Sequence, residues 1–275
     1  VFILPFDHRS AFAKGLLGYS YPRLTQAQRR QVLEMKQVVF EAFCAARQTV
    51  PHPQELAILV DEEFGAAIMT TARQQSIPFA LAVEKSGQEI FQFEYGTRFG
   101  AHLLKWRPTW AKALIRYDVR RLKENTLQRG RLKILADFCK KNRLGFILEA
   151  LLTKKGSRLA QAKQMIQEMR RDGIVPTIWK LEGFPQATSW QSLRALTKSK
   201  IIMLGRGEKK ELVENWVRAA AKSRVVSGMA IGRTIFFKPL QQYFNKKINR
   251  QTAIRQIAQN YRHFINLWYK SVSHP

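Results

Sequence analysis

The amino-acid sequence predicts an α/β fold, a single-domain (β/α)8 TIM barrel that spans residues 1–275. Eight short apolar runs recur along the chain, and at least one helical segment separates each run from the next. Short, nearly continuous apolar runs are typical of parallel strands that helices bury on both faces. Eight repeats of strand and helix fit a closed barrel, and the length is close to the ~250 residues usual for that fold.

Each predicted strand and each long helix can be placed on the sequence. The strands are predicted at residues 1–5, 55–60, 79–83, 111–117, 145–148, 176–179, 200–204 and 225–231. The clearest helical patterns lie at 25–47, 157–171 and 252–269, and Thr25 is a suitable N-cap for the first of them. A doubly wound nucleotide-binding fold is not favoured, because no G-x-G-x-x-G follows the first strand. No linker rich in Pro, Gly or Ser divides the chain, which indicates one domain.

The chain is strongly basic, with 47 Lys and Arg against 20 Asp and Glu and a formal net charge of +27. The basic residues are spread over predicted helix faces, in pairs such as Arg120-Arg121 and Lys140-Lys141. Net charge informs about solubility and the attraction of anions rather than about fold. We therefore favour a solvated basic surface and anionic substrates over specific nucleic-acid recognition, which the charge alone leaves open.

Other functional classes receive little support from the composition. No apolar stretch approaches the ~20 residues of a membrane-spanning helix, so no membrane partner is expected. The two cysteines, Cys44 and Cys139, lie far apart in helical segments, which suggests a reducing cytoplasm and neither a disulfide nor a metal framework. His102 and His263 lack the paired spacing of a metal site, so we expect neither metal nor organic cofactor.

Polar residues stand at nearly every strand end. In a barrel of this kind the carboxyl ends of the strands carry the active site. The residues that this rule brings to one mouth are Asp7, His8 and Arg9 after the first strand, Asp61 after the second, Glu84 and Lys85 after the third, Lys112 and Arg116 within the fourth, Glu149 after the fifth, and Lys180 and Glu182 after the sixth.

Lys180 is the sharpest candidate for a nucleophile, because it directly follows an apolar strand. Partial burial and nearby cations such as Lys112 or Arg206 would favour the neutral amine, which can condense with a ketone. A structural ion pair with Glu149 or Glu182 fits the same position, and position alone favours that interpretation. Glu149 could relay protons at the reacting centre or serve only as a counter-ion.

Two neighbouring loops predict an anion site. Gly205-Arg206-Gly207 follows the seventh strand and Gly232-Arg233 follows the eighth. These loops are the usual phosphate site of the fold. Glycines let the backbone approach an anion closely, and arginines bind phosphate with paired hydrogen bonds.

These segments resemble a known family. Over nearly its whole length the chain is similar to the aldolase-like domain fused to 5-dehydro-2-deoxygluconokinase, the kinase of myo-inositol catabolism. It is more distantly similar to class I tagatose-bisphosphate and sulfofructose-phosphate aldolases. The segments that carry the resemblance are LPFDHRSAF, LVDEEFG, VEKSG, AKALIRYD, FILEALL, IWKLEG, IIMLGRGE and SGMAIGRTIFFKPL, of which the last three are the most specific.

The resemblance implies a Schiff-base aldolase without a cofactor. It makes Lys180 the Schiff-base lysine and Glu149 the acid/base, with Asp7 and Lys112 beside them, and it reverses the preference for a structural Lys180. It implies 2-deoxy-5-keto-gluconate 6-phosphate as the substrate, cleaved to dihydroxyacetone phosphate and malonate semialdehyde. We expect the substrate and its phosphate to be bound by Arg9, Lys85, Arg116, Glu182, Gly205, Arg206, Gly207, Gly232 and Arg233.

We also expect two kinds of protein partner, and two other functions remain open. A fused or associated sugar kinase and a homo-oligomer are expected partners. The rival functions are another ketose-phosphate aldolase on the same site and a basic barrel with lapsed catalysis that binds nucleic acid. Metal-dependent aldol chemistry is disfavoured, because the sequence lacks a convincing cluster of histidine ligands.

Overall fold

A computed structural model describes residues 1–153 and 155–273. In these residues eight parallel strands close into one barrel, and each strand pairs with its neighbours in the chain. The predicted (β/α)8 fold is therefore confirmed. The strands are β1 (Phe2–Pro5), β2 (Leu56–Val60), β3 (Phe79–Ala82), β4 (Trp110–Tyr117), β5 (Gly145–Leu152), β6 (Ile178–Glu182), β7 (Lys200–Leu204) and β8 (Met229–Ala230).

Helices cover the outside of the barrel. They are α1 (Ser10–Leu17), α2 (Gln26–Arg47), α3 (Glu62–Gln74), α4 (Phe99–Trp106), α5 (Leu122–Lys141), α6 (Arg158–Arg171), α7 (Ala187–Arg194), α8 (Lys210–Lys222), α9 (Arg233–Phe244) and α10 (Arg250–Ser273). Thr25 forms the predicted cap of α2, in a reciprocal capping box with Gln28. Within the described part of the chain, no helix combines the length and apolar character needed to cross a membrane.

The strands change from apolar to charged along their inward faces. Small and branched residues fill the barrel interior: Ile3, Ala57, Leu59, Ala80, Ala82, Ile147, Ile178, Ile202 and Ala230. Because side chains alternate between the two faces of a strand, the next inward residue lies two positions further on. After Ile147 that residue is Glu149, and after Ile178 it is Lys180. The core thus ends in a charged layer at the carboxyl ends of the strands.

The predicted bounds of three strands are wrong. β5 and β6 extend to Leu152 and Glu182, beyond the predicted ends at residues 148 and 179, so Glu149 and Lys180 lie inside strands and pair in register. Apolar continuity could not locate these ends, because inward charged side chains are tolerated where they neutralise one another. β8 is shorter than predicted, since the backbone of Gly228 approaches Val1 so closely that a Cβ would lie 1.8 Å from the Val1 carbonyl oxygen.

A buried ion pair lies outside the barrel, between α2 and the β2–α3 turn. The Lys36 ammonium contacts Asp61, and both side chains are almost fully buried. The other Asp61 carboxylate oxygen accepts the Phe64 N–H at 2.9 Å and so caps α3. Asp61 was predicted to lie at the catalytic mouth, whereas these contacts show that it has a structural role.

We predict that Asp61→Ala strongly destabilises the fold. The substitution leaves the Lys36 ammonium buried without a counter-ion, which typically costs about 3–5 kcal/mol, and removes a helix cap. Urea unfolding measures the change in the free energy of unfolding. Lys133→Ala is the control, because its partner Asp137 is 59% exposed and such pairs contribute at most about 1 kcal/mol. Equal losses in the two variants would contradict the structural role of the buried pair.

Candidate active site

A network of two ammonium groups and three carboxylates occupies the barrel mouth. The Lys112 amine on β4 lies 2.7 Å from Asp7 Oδ2, 2.5 Å from Glu84 Oε1 and 3.0 Å from Glu149 Oε2. The same Glu149 oxygen accepts a hydrogen bond from the Lys180 amine at 2.8 Å. The four residues predicted to be catalytic therefore lie in one continuous network.

Burial and charge act in opposite directions on these groups. Burial is the largest influence and raises the pKa of each carboxylate, but for Asp7 and Glu149 the charges of Lys112 and Lys180 together with a lysine hydrogen bond outweigh it and lower the pKa below the ordinary value. For Glu84 burial dominates, so its pKa is raised. Burial disfavours the Lys112 ammonium, yet Asp7, Glu149 and Glu84 raise its pKa well above the ordinary value. Lys112 is thus a permanent cation, and Glu84 is the carboxylate that most readily takes up a proton.

A cavity of about 660 Å³ opens above this network. Asp7, Lys112 and Glu149 form its floor, and Arg233 stands at one wall. The predicted substrate-binding residues Arg9, Lys85 and Arg116 also belong to the lining, together with His8, Lys14, Ser86 and Phe237. Lys180 is 3% exposed and does not itself line the cavity, but its amine donates a hydrogen bond to Glu149, which does.

Arg9 is already engaged by the protein. Its guanidinium donates to the Glu94 carboxylate and to the carbonyl oxygen of Glu84, and the side chain is 5% exposed. Burial lowers the pKa of Arg9, but the negative charges of Glu84, Asp61 and Glu94 outweigh it and raise the pKa. The contacts hold the β3–α4 segment against the mouth, and Arg9 also lines the cavity, where its predicted contact with substrate stays a prediction.

The residues of the predicted anion site do not lie together: Arg233 lines the main cavity, whereas Arg206 lies outside it. Arg233 lines the main cavity, and its guanidinium packs on Gly207, where a Cβ would lie 2.7 Å from Arg233 Cζ. Gly207 has a φ of +76°, a conformation that favours glycine, and it leaves room for the arginine. Gly232 lets the start of α9 approach β1, since a Cβ there would lie 2.4 Å from the Pro5 carbonyl oxygen. Gly205 packs against Val213 and Ile231.

Arg206 and Glu182 lie outside the main cavity. Glu182 is completely buried and accepts hydrogen bonds from Arg206 at 2.7 Å and from the Leu152 N–H at 3.1 Å. Arg206 lines a separate pocket with Arg158. The prediction that Glu182 and Arg206 contact the substrate is corrected: they form a structural ion pair that joins β6 to the β7–α8 loop.

Nearly the whole chain matches one protein family. A family described as "Uncharacterized protein conserved in bacteria (DUF2090)" matches residues 1–272. The chain belongs to this family. No protein with a curated function matches the chain in a sequence comparison.

Solved structures share the fold of this DUF2090 chain at low sequence identity. A structural-genomics protein from Corynebacterium glutamicum (Brevibacterium flavum) is 14% identical with a TM-score of 0.63, covering 96% of this chain and 85% of that one. An archaeal fructose-1,6-bisphosphate aldolase, with its catalytic Lys covalently bound to the carbinolamine intermediate, is 11% identical with a TM-score of 0.64, covering 98% and 93%. A second structure of an archaeal fructose 1,6-bisphosphate aldolase is 12% identical with a TM-score of 0.62 and the same coverage.

Two residues that line the cavity were given no role in the predicted site. Glu84 was placed at the mouth beside Lys85, but Lys85 alone of the two was assigned to substrate binding. The signal for Glu84 was its position two residues after the inward Ala82. Lys14 on α1 gave no signal, because nothing in the sequence indicated that α1 folds over the mouth. Among the described residues, no group of three or more His, Cys, Asp or Glu side chains is arranged to hold a metal ion.

His8 should make the stability pH-dependent. Burial lowers its pKa from 6.5 to about 4, so between these values the unfolded chain binds a proton that the folded protein does not. Its contribution is therefore complete above pH 6.5 and is lost as the pH falls toward 4. Because the side chain is 30% exposed, we expect a loss on the order of 1–2 kcal/mol.

Urea unfolding near neutral pH and in mild acid tests this, with His8→Asn as the comparison. The variant should lose less stability than the parent over the same interval. A His8 ring that titrates at its ordinary value in an NMR experiment would contradict the expectation.

Proposed function

We propose that the protein is a class I aldolase that cleaves a phosphorylated keto-sugar through a Schiff base on Lys180. The observation that carries the proposal is the shared Glu149 oxygen, which contacts the Lys180 amine at 2.8 Å and the Lys112 amine at 3.0 Å. This carboxylate is in hydrogen-bond contact with the Lys180 amine and can therefore accept a proton from it.

The distribution of carboxylates indicates which lysine becomes the nucleophile. Lys112 has three carboxylate partners, whereas Lys180 pairs with Glu149 alone among the residues that the structure describes. Lys112 is therefore the amine that keeps its proton, which leaves Lys180 as the proposed nucleophile. A neutral amine is what attack on a ketone requires.

The proposed reaction then needs only groups of this network. Glu149 is the nearest proton acceptor for Lys180, whose amine adds to the substrate ketone and forms an iminium with loss of water. A base removes the proton of the hydroxyl on the β-carbon, the carbon–carbon bond breaks, and its electrons enter the iminium to give an enamine. The aldehyde departs, the enamine is protonated at carbon, and water releases the ketone product from Lys180. Asp7, Glu84 and Glu149 are the carboxylates that line the cavity and could serve as this base.

The charges around the cavity support an acidic, phosphorylated substrate. Arg233 is a guanidinium at the end of the barrel where this fold usually binds phosphate. Lys14, Lys85 and Arg116 are further cations of the same lining, and they suit a second anionic group. We propose 2-deoxy-5-keto-gluconate 6-phosphate, cleaved to dihydroxyacetone phosphate and malonate semialdehyde. Another ketose-phosphate aldolase on the same residues is the alternative.

The catalytic lysine can be tested by reductive trapping. With dihydroxyacetone phosphate and borohydride, the parent protein should gain the mass of the reduced adduct. Lys180→Arg should gain none, because a guanidinium cannot become a neutral amine nucleophile at working pH. Glu149→Gln should form the adduct slowly. Lys222→Arg, a substitution outside the cavity, is the matched control and should form it normally. An adduct on Lys112 would reassign the nucleophile, and no adduct on any lysine would refute the class.

The phosphate contact can be tested with two arginines that differ in position. Arg233→Ala removes a charge-assisted hydrogen bond worth about 1.5–3 kcal/mol, so KM for a phosphorylated ketose should rise about ten- to a hundredfold. Arg206→Ala is the matched control, because Arg206 bonds to Glu182 away from the cavity and Arg158 remains as a partner for the buried Glu182. We expect its KM to change less than about threefold, a small part of one such hydrogen bond. Equal effects on KM would contradict the assignment of the phosphate to Arg233.

A further inference from the structure

The end of the barrel opposite the active site is formed by seven loops. Each joins one of the helices α2 to α8 to the following strand. Because all eight strands are parallel, these loops meet at the amino ends of the strands. We call this surface the basal face.

The basal face carries a concentration of exposed basic side chains. They occur from the last turn of α3 round to the loop before β8, with at least one on each of six consecutive loops. The thirteen residues are Arg73, Lys105, Arg107, Lys140, Lys141, Arg143, Arg170, Arg171, Arg194, Lys198, Lys200, Lys222 and Arg224. The basic residues are thus less evenly distributed than the sequence pattern indicated.

Acidic side chains do not neutralise this face. In the six loops and the last helical turns that lead into them, the acidic residues that the structure describes are Glu168 and Asp172, and both pair with Arg129, at 3.0 and 2.5 Å. Glu55 lies on the seventh loop of the face. Arg171 comes within 3.8 Å of Asp172, and Lys105 within 3.7 Å of Glu62. Arg170 and Arg194 donate to backbone carbonyl oxygens, which leaves their charges in place. The acids gather instead at the opposite mouth.

Helix dipoles account for only part of this charge. All seven helices end at the basal face, and each helix C-terminus carries about half a negative elementary charge. Their sum is roughly three to four negative charges, against thirteen exposed cations. Stabilisation of helix ends therefore explains about a quarter of the basic residues, and the excess is available to an external anion.

We infer that the basal face binds the sugar–phosphate backbone of a nucleic acid. Seven of the thirteen residues are arginines, whose planar donors match phosphate oxygens, and the ring extends over six loops as a polyanion requires. An anionic membrane is less well matched, because binding there also needs apolar side chains that insert. Of the large exposed apolar residues, only two that the structure describes, Leu104 and Val175, lie on these loops and the helical turns beside them.

This binding is independent of the proposed aldolase reaction. The catalytic network lies at the carboxyl ends of the strands, and the basal face lies at their amino ends. A nucleic acid on the basal face leaves the cavity open. Loss of one activity in a variant can therefore be distinguished from loss of the other.

The test compares two variants in which five exposed lysines become glutamine. The first replaces Lys140, Lys141, Lys198, Lys200 and Lys222 on the basal face. The second replaces Lys123, Lys209, Lys238, Lys246 and Lys247, which lie outside these loops. Both lose the same formal charge. Fluorescence polarisation measures Kd for labelled single-stranded RNA, single-stranded DNA and duplex DNA over a salt series, and circular dichroism confirms folding.

We expect the parent to bind with a Kd that weakens steeply with salt, as counterion release requires. The basal variant should bind at least about tenfold more weakly with a shallower salt dependence, and the second variant should change less than about threefold. Borohydride adduct formation on Lys180 should be unaffected in both. Equal weakening in the two variants, or no binding by the parent at low salt, would overturn the inference. Tighter binding to phosphatidylserine vesicles than to any nucleic acid, through the same lysines, would also overturn it.

Discussion

The site depends on the position of one ammonium group, that of Lys112, among three buried carboxylates. Asp7, Glu84 and Glu149 each lie within 3.0 Å of it, and they come from three different parts of the barrel. An uncompensated charge at this depth would cost several kcal/mol, so the strands that carry these groups must keep the register that pairs them. The same contact leaves Glu149 shared with Lys180. In the proposed reaction Lys112 stays a fixed cation and Lys180 is the nucleophile, so the contacts that stabilise the mouth would also position the reactive amine.

The two ends of the barrel carry different arrangements of charge. At the carboxyl ends of the strands, charges are buried, paired and few, and small changes of geometry alter proton positions. At the amino ends, basic side chains are exposed and few of them lie near an acid, so they act together at longer range and are screened by salt. The basal face carries thirteen of the 47 basic residues, and the net charge of +27 says little about the catalytic network, where three carboxylates surround two ammonium groups.

Much of the fold and part of the site could be predicted from the sequence. The eight apolar runs predicted the barrel, because strands that are buried on both faces consist almost entirely of apolar residues. Glu149 and Lys180 were recognised, but as residues that follow strands, since a charge that faces inward interrupts the apolar pattern on which strand ends were judged. Arg206 was grouped with Arg233 by its glycine-rich loop, yet it turns to the buried Glu182. The basal face could not be found, because the loops are adjacent only after the barrel closes.

The proposed Schiff base on Lys180 can be tested by the exchange of hydrogen between dihydroxyacetone phosphate and solvent. This exchange requires a Schiff base and a group that removes a proton, and it can be measured without knowing the aldehyde product. Enamine formation on Lys180 exchanges one hydrogen of the hydroxymethyl carbon with solvent, which proton NMR in D₂O detects as loss of signal. The account predicts exchange by the parent protein, insensitive to EDTA, and none by Lys180→Arg. Exchange that persists in Lys180→Arg, or that EDTA abolishes in the parent, would contradict it.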